Sequence, residues 1–371
     1  MLEFFLGKRF VILYFVPFII GLISVLSFQP FNLTIINFII LPLFFYFLVY
    51  INKKSKGAYR KKPHKTNLFL FGLMFGFGFY IGGVSWITNS LTFDDNFKVL
   101  IPFALILIPL FLSLFTALTT LFVGPHLKFN FISIIIFSGS IAFSDYLRAK
   151  LFTGFPWNLW AYSTTWANEI LQILNLTGLY LYNLLVITFF TIPVIIFFRI
   201  STSRKLLVFS LCILIVLSLY IYGNYEINKN RKMLNNVNQS IFVKVLSPNF
   251  DLQYGLTERE IEERFKKLIR YSDPDKNQKT LFIWPEGVFS GYSFDEVSAF
   301  KEMIKNNFSK KHTIIFGSNK LDKKTGKFFN SMIVVNNNFE LIQSYEKLKL
   351  VPFGEFLPFE KALNNFGLKK I

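Results

Sequence analysis

The chain has 371 residues, of which 53% are hydrophobic and 19% are aromatic, and its net charge is +18. A soluble domain is rarely this apolar, so the composition favours a membrane protein. One cysteine excludes a disulfide framework and a cysteine-rich metal site. The histidines, His64, His126 and His312, are scattered and form no HExxH pattern, so neither a metal site nor a cofactor is expected.

Seven apolar stretches are long enough to cross a bilayer as helices, since a hydrocarbon core of roughly 30 Å requires about 20 residues. They cover residues 10–28, 33–51, 68–91, 99–123, 129–147, 170–198 and 206–223. The first follows Lys8 and Arg9, as in a signal peptide, but it is long enough to span and no small-residue cleavage site follows it. We interpret it as a retained helix, and the sequence predicts a membrane domain with seven transmembrane helices over residues 1–224.

The positive charge is concentrated in the loops that follow the even-numbered stretches. Residues 52–67 hold seven lysines or arginines, whereas the loop at 92–98 contains Asp94 and Asp95. Basic loops stay on the cytoplasmic side of a membrane. The N-terminus is therefore expected inside and everything after Tyr222 outside, which in a bacterium with two membranes means an inner-membrane protein with a periplasmic C-terminal domain. The charge is explained as a topology signal, so no nucleic-acid partner is expected.

The composition changes near residue 225, where strands and amphipathic helices begin. Thr257 with Glu260, and Ser293 with Glu296, have the spacing of capping boxes, which open helices. Five stretches predict strands, and these are 240–250, 280–284, 312–317, 328–336 and 341–351. Strands that first alternate with helices and then follow one another indicate an α/β layered domain over residues 225–371.

Two polar clusters of this domain can carry chemistry. Glu286 ends the apolar stretch LFIWPE (281–286), an unusual place for an acid. Lys347 is predicted to lie in the last strand, and Glu355 follows in a Pro/Gly turn. Each residue alone has an ordinary explanation, as a paired strand-end acid, a solvated lysine or a turn residue. Together they indicate a general base, a cation for a developing oxyanion and a second acid that supports one of the two.

Six motifs carry a family resemblance. They are SFQPFN (27–32), GFGFYIGGVSWITNSL (76–91), TGFPWNLWAYS (153–163), WPE (284–286), NSMIVV (330–335) and KLKLVPFGEFLP (347–358). TGFPW and the last motif are highly specific in combination. Over nearly its whole length, the chain resembles the bacterial apolipoprotein N-acyltransferases, which are membrane-embedded members of the nitrilase superfamily.

The resemblance implies an eight-helix membrane domain that carries an αββα nitrilase-like sandwich on the periplasmic side. It implies transfer of a fatty acyl chain from a phospholipid, usually phosphatidylethanolamine, to the N-terminal amine of the diacylglyceryl-cysteine of apolipoproteins. By position in the matching motifs, Glu286 corresponds to the general base of the family. Lys347 corresponds to its oxyanion-stabilising lysine, and Glu355 to its supporting acid.

The resemblance also implies that outer loops of the membrane domain line a lipid entrance. Trp86, Phe155, Pro156 and Trp157 lie in the matching motifs and are the candidates for substrate binding. An interfacial aromatic belt would explain the tryptophans as well, although a belt does not require the order TGFPW.

The family's nucleophile is a cysteine a few dozen residues after the lysine, and residue 371 precedes that position. The sole cysteine, Cys212, lies in an apolar stretch, where a thiol behaves as a small hydrophobic group, so it is not expected to be the nucleophile. We therefore expect either an incomplete sequence or a truncated gene. Residues 1–371 alone are expected to have no acyltransferase activity.

Three other functions stay open. The domain could act as a membrane-anchored amidase on a small molecule, although a soluble amide requires no lipid access. It could also be the binding module of a non-catalytic membrane scaffold. A transporter has thin support, because intramembrane charges usually mark transport paths and the predicted spans offer only Asp145.

Overall fold

The computed structural model describes residues 9–57, 64–92, 95–152, 154–235, 241–251, 253, 255–322 and 324–351. The chain divides into two compact units, Met1–Asn235 and Asn236–Ile371. The last long helix of the first unit continues to Asn235, past the boundary predicted at residue 224.

The first unit is helical. Its helices are α1 (Val16–Ser24), α2 (Asn37–Gly57), α3 (His64–Val84), α4 (Ile101–Val123), α5 (Phe131–Lys150), α6 (Asn168–Leu171), α7 (Leu174–Thr191) and α8 (Thr202–Asn235). Tight 3-10 turns extend several of them, such as Ser85–Thr92 after α3. Asn130 opens α5, since its side chain accepts a hydrogen bond from the Ser133 N–H at 2.9 Å. Helices satisfy their own backbone hydrogen bonds, which a segment inside lipid must do.

Six helical segments are long and apolar enough to cross a membrane. They are Thr34–Lys54, His64–Thr92, Phe97–His126, Phe131–Lys150, Leu174–Phe197 and Thr202–Asn235. Six of the seven stretches predicted as spans thus coincide with helices of sufficient length, and their crossing of a membrane stays a prediction. The first prediction, residues 10–28, is not met at full length, because the described residues form a shorter apolar helix over Val11–Ser27. This helix consists of a π-helical turn at Val11–Phe15, then α1, then a 3-10 turn at Val25–Ser27.

Two helices leave most of their apolar surface uncovered by protein. Only 6% of the apolar segment of α8 and 17% of that of α4 are buried. On α8, the side chains of Ile213, Leu214 and Ile221 are 63%, 58% and 67% exposed. An exposed apolar surface of this length is expected of a helix that contacts lipid. The interior of the unit is packed with rings, such as Phe44 stacked on Phe75 at 3.9 Å between centroids.

The second unit contains one mixed sheet among the described residues. Its strands are β1 (Phe242–Val245), β2 (Thr280–Ile283), β3 (His312–Asp322), β4 (Lys327–Val335) and β5 (Leu341–Glu346). They lie in the order β1-β2-β3-β4-β5, with β1, β2 and β3 parallel and β3, β4 and β5 antiparallel. Helix α9 (Glu258–Ser272) lies between β1 and β2 in the chain, and α10 (Phe294–Val297) and α11 (Lys301–Asn307) lie between β2 and β3. The mixed sheet agrees with the predicted α/β domain, whereas the αββα nitrilase-like sandwich stays a prediction.

Helices α9 and α10 begin at the two predicted capping boxes. Glu260 accepts a hydrogen bond from the Thr257 N–H at 2.8 Å, and Thr257 Oγ1 accepts one from the Glu260 N–H at 3.4 Å. Ser293 and Glu296 repeat the arrangement at 2.7 and 3.5 Å. Each box satisfies two backbone donors that a helix start would otherwise leave open. Phe265 of α9 is fully buried and packs in the hydrophobic core of the second unit.

Both faces of the sheet are apolar. One face is closed by the helices, and its fully buried side chains are Phe282, Ile314, Phe316 and Ile333. The opposite face is partly exposed among the described residues, and its side chains are Val243, Val245, Leu281, Ile283, Ile315, Met332 and Val334. A sheet that is apolar on both faces is typical of a layered fold in which each face is covered.

Candidate active site and aromatic surface

Glu286 lies three residues beyond the end of β2. The end of this strand is held by Trp284, which is buried and donates its Nε1–H to Ser272 Oγ at 3.0 Å. The Trp284 backbone N–H also donates to the Ile315 carbonyl of β3 at 2.8 Å. The side chain of Glu286 itself is exposed. A carboxylate on a rigid strand end, open to solvent, can exchange a proton with a bound molecule.

Gly317 of β3 lies against Glu286. A Cβ added at position 317 would lie 3.0 Å from both the Cα and the Cγ of Glu286. This separation is tighter than nine in ten real Cβ contacts. The absence of a side chain at Gly317 therefore makes the room that Glu286 occupies.

Asn330 of β4 links the two candidate catalytic residues. Its side-chain Nδ2–H donates to Glu286 Oε1 at 3.2 Å. Its backbone carbonyl accepts a hydrogen bond from the Lys347 N–H at 2.8 Å. The sheet thus gathers Glu286 and Lys347 around one residue. Sequence reasoning quoted Asn330 within the motif NSMIVV but gave it no role. The signal that could have identified it is the polar pair Asn330 and Ser331, which directly precedes the apolar run of β4.

Lys347 lies directly after β5, which ends at Glu346. The predicted strand through residue 351 is therefore wrong in its second half. The β5 ladder with β4 stops at the Ser331–Glu346 pair, while β4 continues its pairing with β3. The half-buried Lys347 is held by its backbone bond to Asn330 rather than by a place in the ladder. Glu355, the third predicted catalytic residue, lies outside the described residues.

The described part of the second unit thus offers a carboxylate and a lysine near one asparagine. A carboxylate can act as a general base, and a lysine ammonium can stabilise a developing oxyanion. No group of three histidine, cysteine or acidic side chains lies close enough to hold a metal ion in the part of the chain that the structure describes.

In the first unit, the four predicted substrate-binding residues form one surface, here called the aromatic surface. The rings of Trp86 and Trp157 lie 4.9 Å apart, and those of Phe155 and Trp157 lie 6.4 Å apart. Trp86 and Trp157 are 46% and 47% exposed. Pro156, which lies between Phe155 and Trp157 in the chain, is also exposed. Trp86 follows α3, whereas the other three residues follow α5. The structure therefore brings distant motifs together, and their binding of a lipid stays a prediction.

Sequence reasoning missed the buried polar side chains behind this surface. Arg148 of α5 is 2% exposed, and its guanidinium donates to the backbone carbonyls of Phe155 and Trp157 at 2.5 and 2.6 Å. Gly154 lets the chain turn toward Arg148, since its φ is +82° and an added Cβ would lie 2.4 Å from the Ala149 carbonyl oxygen. Arg148 received no role in the sequence analysis, because no signal in the sequence pointed to these bonds.

Cys212 lies in α8 beside an apolar cavity of about 350 Å³. The cavity is lined by rings and aliphatic side chains, including Phe38, Phe189 and Phe209. The cysteine is half-buried. None of the lining residues carries a charge that would stabilise a thiolate.

Comparison with known proteins agrees with these features. The model of the apolipoprotein N-acyltransferase N-terminal domain matches residues 20–192. Curated proteins named apolipoprotein N-acyltransferase align with almost the entire chain at 23–28% identity. The chain is similar to the apolipoprotein N-acyltransferases over nearly its whole length. The matched range covers the second half of α1, helices α2 to α7 and the aromatic surface, and the alignments with the relatives include Glu286 and Lys347.

Three relatives illustrate the extent of the similarity. The protein of Rhodopseudomonas palustris is 26% identical over 366 residues, and that of Bradyrhizobium diazoefficiens is 27% identical over 367. Each of these alignments covers 95% of this chain and 66% of the relative. The protein of Rickettsia typhi is 28% identical over 353 residues, which are 93% of this chain and 66% of the relative. The chain therefore spans just under two thirds of the length of these relatives.

Proposed function

We propose that this protein is an N-acyltransferase that moves a fatty acyl chain from a phospholipid to the N-terminal amine of the diacylglyceryl-cysteine of apolipoproteins. The observation that carries the proposal is the cluster in which Asn330 binds both Glu286 and Lys347, in a chain whose relatives are named apolipoprotein N-acyltransferase. The lipid-exposed helices α4 and α8 support it, because both substrates of such an enzyme are lipids.

In the first proposed step, Glu286 takes the proton of a cysteine thiol, and the thiolate attacks the ester carbonyl of the phospholipid. Lys347 stabilises the tetrahedral oxyanion. The carbon–oxygen ester bond then breaks, the departing alkoxide takes the proton from Glu286, and a lysophospholipid leaves. A thioester between the cysteine and the acyl chain remains.

In the second proposed step, the amine of the apolipoprotein attacks the thioester carbonyl. Glu286 takes the proton from the attacking amine, and Lys347 again stabilises the oxyanion. The carbon–sulfur bond breaks, the thiolate regains a proton from Glu286, and an amide is formed. Glu355 is assigned by resemblance to support Lys347 or Glu286.

The proposal assigns the nucleophile to a cysteine that the resemblance places after residue 371, and not to Cys212. The apolar lining around Cys212 supports this assignment. Because the proposed nucleophile lies outside residues 1–371, we propose that these residues alone do not transfer acyl chains. We further propose an inner-membrane location with the second unit, of nitrilase-like fold, in the periplasm; the basic loop at 52–67 supports this orientation.

The test is acyl transfer by the complete gene product in mixed micelles of detergent and phosphatidylethanolamine, with a diacylglyceryl-cysteine peptide as acceptor. The Glu286→Gln variant keeps an oxygen for Asn330 but loses the base, and we expect a loss of about a hundredfold to ten-thousandfold in rate. Lys347→Ala is expected to lose about a hundredfold to a thousandfold.

The matched control is Lys349→Ala, an exposed lysine two residues further along the chain. It should keep the wild-type rate. Cleavage of simple amides in preference to the phospholipid ester would instead identify an amidase. Unchanged transfer in both Glu286→Gln and Lys347→Ala would contradict the assigned chemistry.

A further inference from the structure

Three buried polar side chains of the first unit form one connected network behind the aromatic surface. Arg148 Nη2 donates to Asp145 Oδ1 at 3.0 Å, and Asn183 Nδ2 donates to Asp145 Oδ2 at 2.9 Å. The exposures of Arg148, Asp145 and Asn183 are 2%, 7% and 0%. Asp145 and Arg148 belong to α5, whereas Asn183 belongs to α7. The network therefore joins α5 and α7, and each carboxylate oxygen of Asp145 accepts a hydrogen bond.

The outer bonds of this network all end on the segment Phe155–Ala161. Arg148 Nη1 donates to the carbonyls of Phe155 and Trp157 at 2.5 and 2.6 Å. Asn183 Oδ1 accepts a hydrogen bond from the backbone N–H of Ala161 at 2.8 Å. The segment is thus bound at both of its ends by side chains from two different helices.

Within the segment, two tryptophans have opposite surroundings. Trp160 is 3% exposed and stacks on Phe79 of α3, with centroids 5.4 Å apart and ring planes 4° from parallel. Trp157 is 47% exposed and meets Trp86. Asn158 between them has a φ of +52° and packs so closely on α3 that a Cβ at Gly83 would lie 1.9 Å from its Nδ2. The backbone is constrained on its inner side, while Trp157 is presented on its outer side.

A buried ion pair contributes little net stability to a helix bundle. Two buried charges lose their hydration, and well-packed apolar side chains of similar volume often stabilise a fold equally well. A guanidinium, however, can bind a carboxylate and two carbonyl oxygens at the same time in a defined plane. The use of Arg148 at this position is therefore better explained by the geometry it imposes on Phe155 and Trp157 than by stability.

We propose that the Arg148–Asp145–Asn183 network is a positioning element, which holds Trp157 against Trp86 so that the aromatic surface receives the acyl chain of the phospholipid donor. This inference rests on the proposed function, because it takes the acyl donor from it. None of the three residues touches the reacting atoms; they act through the segment Phe155–Ala161.

Two variants and one control separate positioning from general stability. The double variant Asp145→Asn/Arg148→Gln removes both charges together, so no single charge is left buried. Asn183→Leu keeps both charges but removes the acceptor of the Ala161 N–H and the donor to Asp145 Oδ2. The control is Ser138→Ala, because Ser138 is a buried residue of α5 whose hydroxyl has no hydrogen-bond partner among the described residues.

The first measurement is hydrogen–deuterium exchange of the complete gene product in detergent. Both network variants should raise exchange in peptides that cover residues 154–162 by about tenfold or more, while peptides from α2 and α4 stay unchanged. The Ser138→Ala control should match the wild type everywhere. A uniform rise over all helices, or no rise in residues 154–162, would overturn the proposal. If the double variant does not fold, Asn183→Leu decides alone.

The second measurement is cross-linking to a phosphatidylethanolamine with a photoreactive group in its acyl chain. The wild type should be labelled at Trp86 and Trp157, and the network variants should lose most of this labelling. Local exchange that rises without a loss of labelling would contradict the positioning of an acyl-chain surface. Wild-type labelling without acyl transfer would refute the proposed function and leave the positioning role standing, so the two failures are distinguishable.

Discussion

Asn330 donates a side-chain hydrogen bond to Glu286 over 3.2 Å, and the two residues are 44 positions apart in the chain. The same asparagine accepts the backbone N–H of Lys347 at 2.8 Å. One residue of β4 thereby contacts the carboxylate of the proposed base and the backbone of the lysine proposed to stabilise the oxyanion. Its contribution can be measured separately from theirs.

Replacement of Asn330 by alanine should slow acyl transfer. Hydrogen bonds to charged groups contribute about 1.5–3 kcal/mol, so we expect a loss of roughly tenfold to a hundredfold in kcat/KM. Asn330→Asp should lose more, because a second carboxylate would face Glu286. Asn306→Ala, at an exposed position in α11, is the control. A wild-type rate for Asn330→Asp would show that Glu286 is not the base.

Substitution of Gly317 should displace Glu286 in proportion to the size of the new side chain. The added Cβ would lie 3.0 Å from two atoms of Glu286, and the shift should cost about 1–3 kcal/mol of stability. We expect Gly317→Val to lower activity more than Gly317→Ala, measured as kcat/KM beside the melting temperature. Equal activity in the two variants would mean that the close approach does not position the carboxylate.

Removal of the Ser272 hydroxyl should leave the indole N–H of Trp284 buried without its acceptor, since the two residues are 0% and 3% exposed. We expect Ser272→Ala to destabilise the protein by about 1–3 kcal/mol. The double variant Ser272→Ala/Trp284→Phe should cost less than the sum of the single variants, because the second change removes the unpaired donor. Additive melting shifts would contradict this account.

The capping box at Ser293 should make stability depend on acid pH. Hydrogen bonds from the Ser293 hydroxyl and then from its backbone N–H hold the pKa of Glu296 below its usual value of 4.5. A lowered folded pKa contributes stability that is present above the usual value and is lost as the pH falls through the folded value.

We therefore expect wild-type melting temperature to decrease below about pH 4.5 in part through Glu296. Glu296→Gln should keep the cap but flatten this part of the pH profile, and Ser293→Ala should cost about 0.5–2 kcal/mol at neutral pH. Glu302→Gln, an exposed acid at the start of α11, serves as the control. An unchanged profile in Glu296→Gln would contradict the prediction.

Local patterns predicted much of the fold because their causes are local. Six of the seven long apolar runs coincide with apolar helices of sufficient length to span a membrane, and the spacing of Thr257 with Glu260 predicted the start of α9. The remaining predicted span corresponds to the shorter helix Val11–Ser27, and its run of apolar residues does not reveal the π-helical and 3-10 turns at its two ends. The end of β5 at Glu346 depends on pairing with β4, which β-propensity alone does not encode.

The site was predicted only in part for the same physical reason. Glu286 and Lys347 lie in motifs that are contiguous in the sequence, whereas the role of Asn330 depends on the register of the strands. Asp145 was noticed as a charge near a span, yet its partner Asn183 is 38 residues away on another helix. Contacts of this kind appear only when the chain is folded.

The uncovered face of the sheet has a practical consequence. Val245 and Met332 on that face are 73% and 48% exposed among the described residues, and the edge strand β1 carries two further exposed apolar side chains. A polypeptide excised from residue 236 onward would offer water an apolar plane beside an open strand edge, and such surfaces pair with copies of themselves. Expression of that fragment alone should therefore yield aggregates.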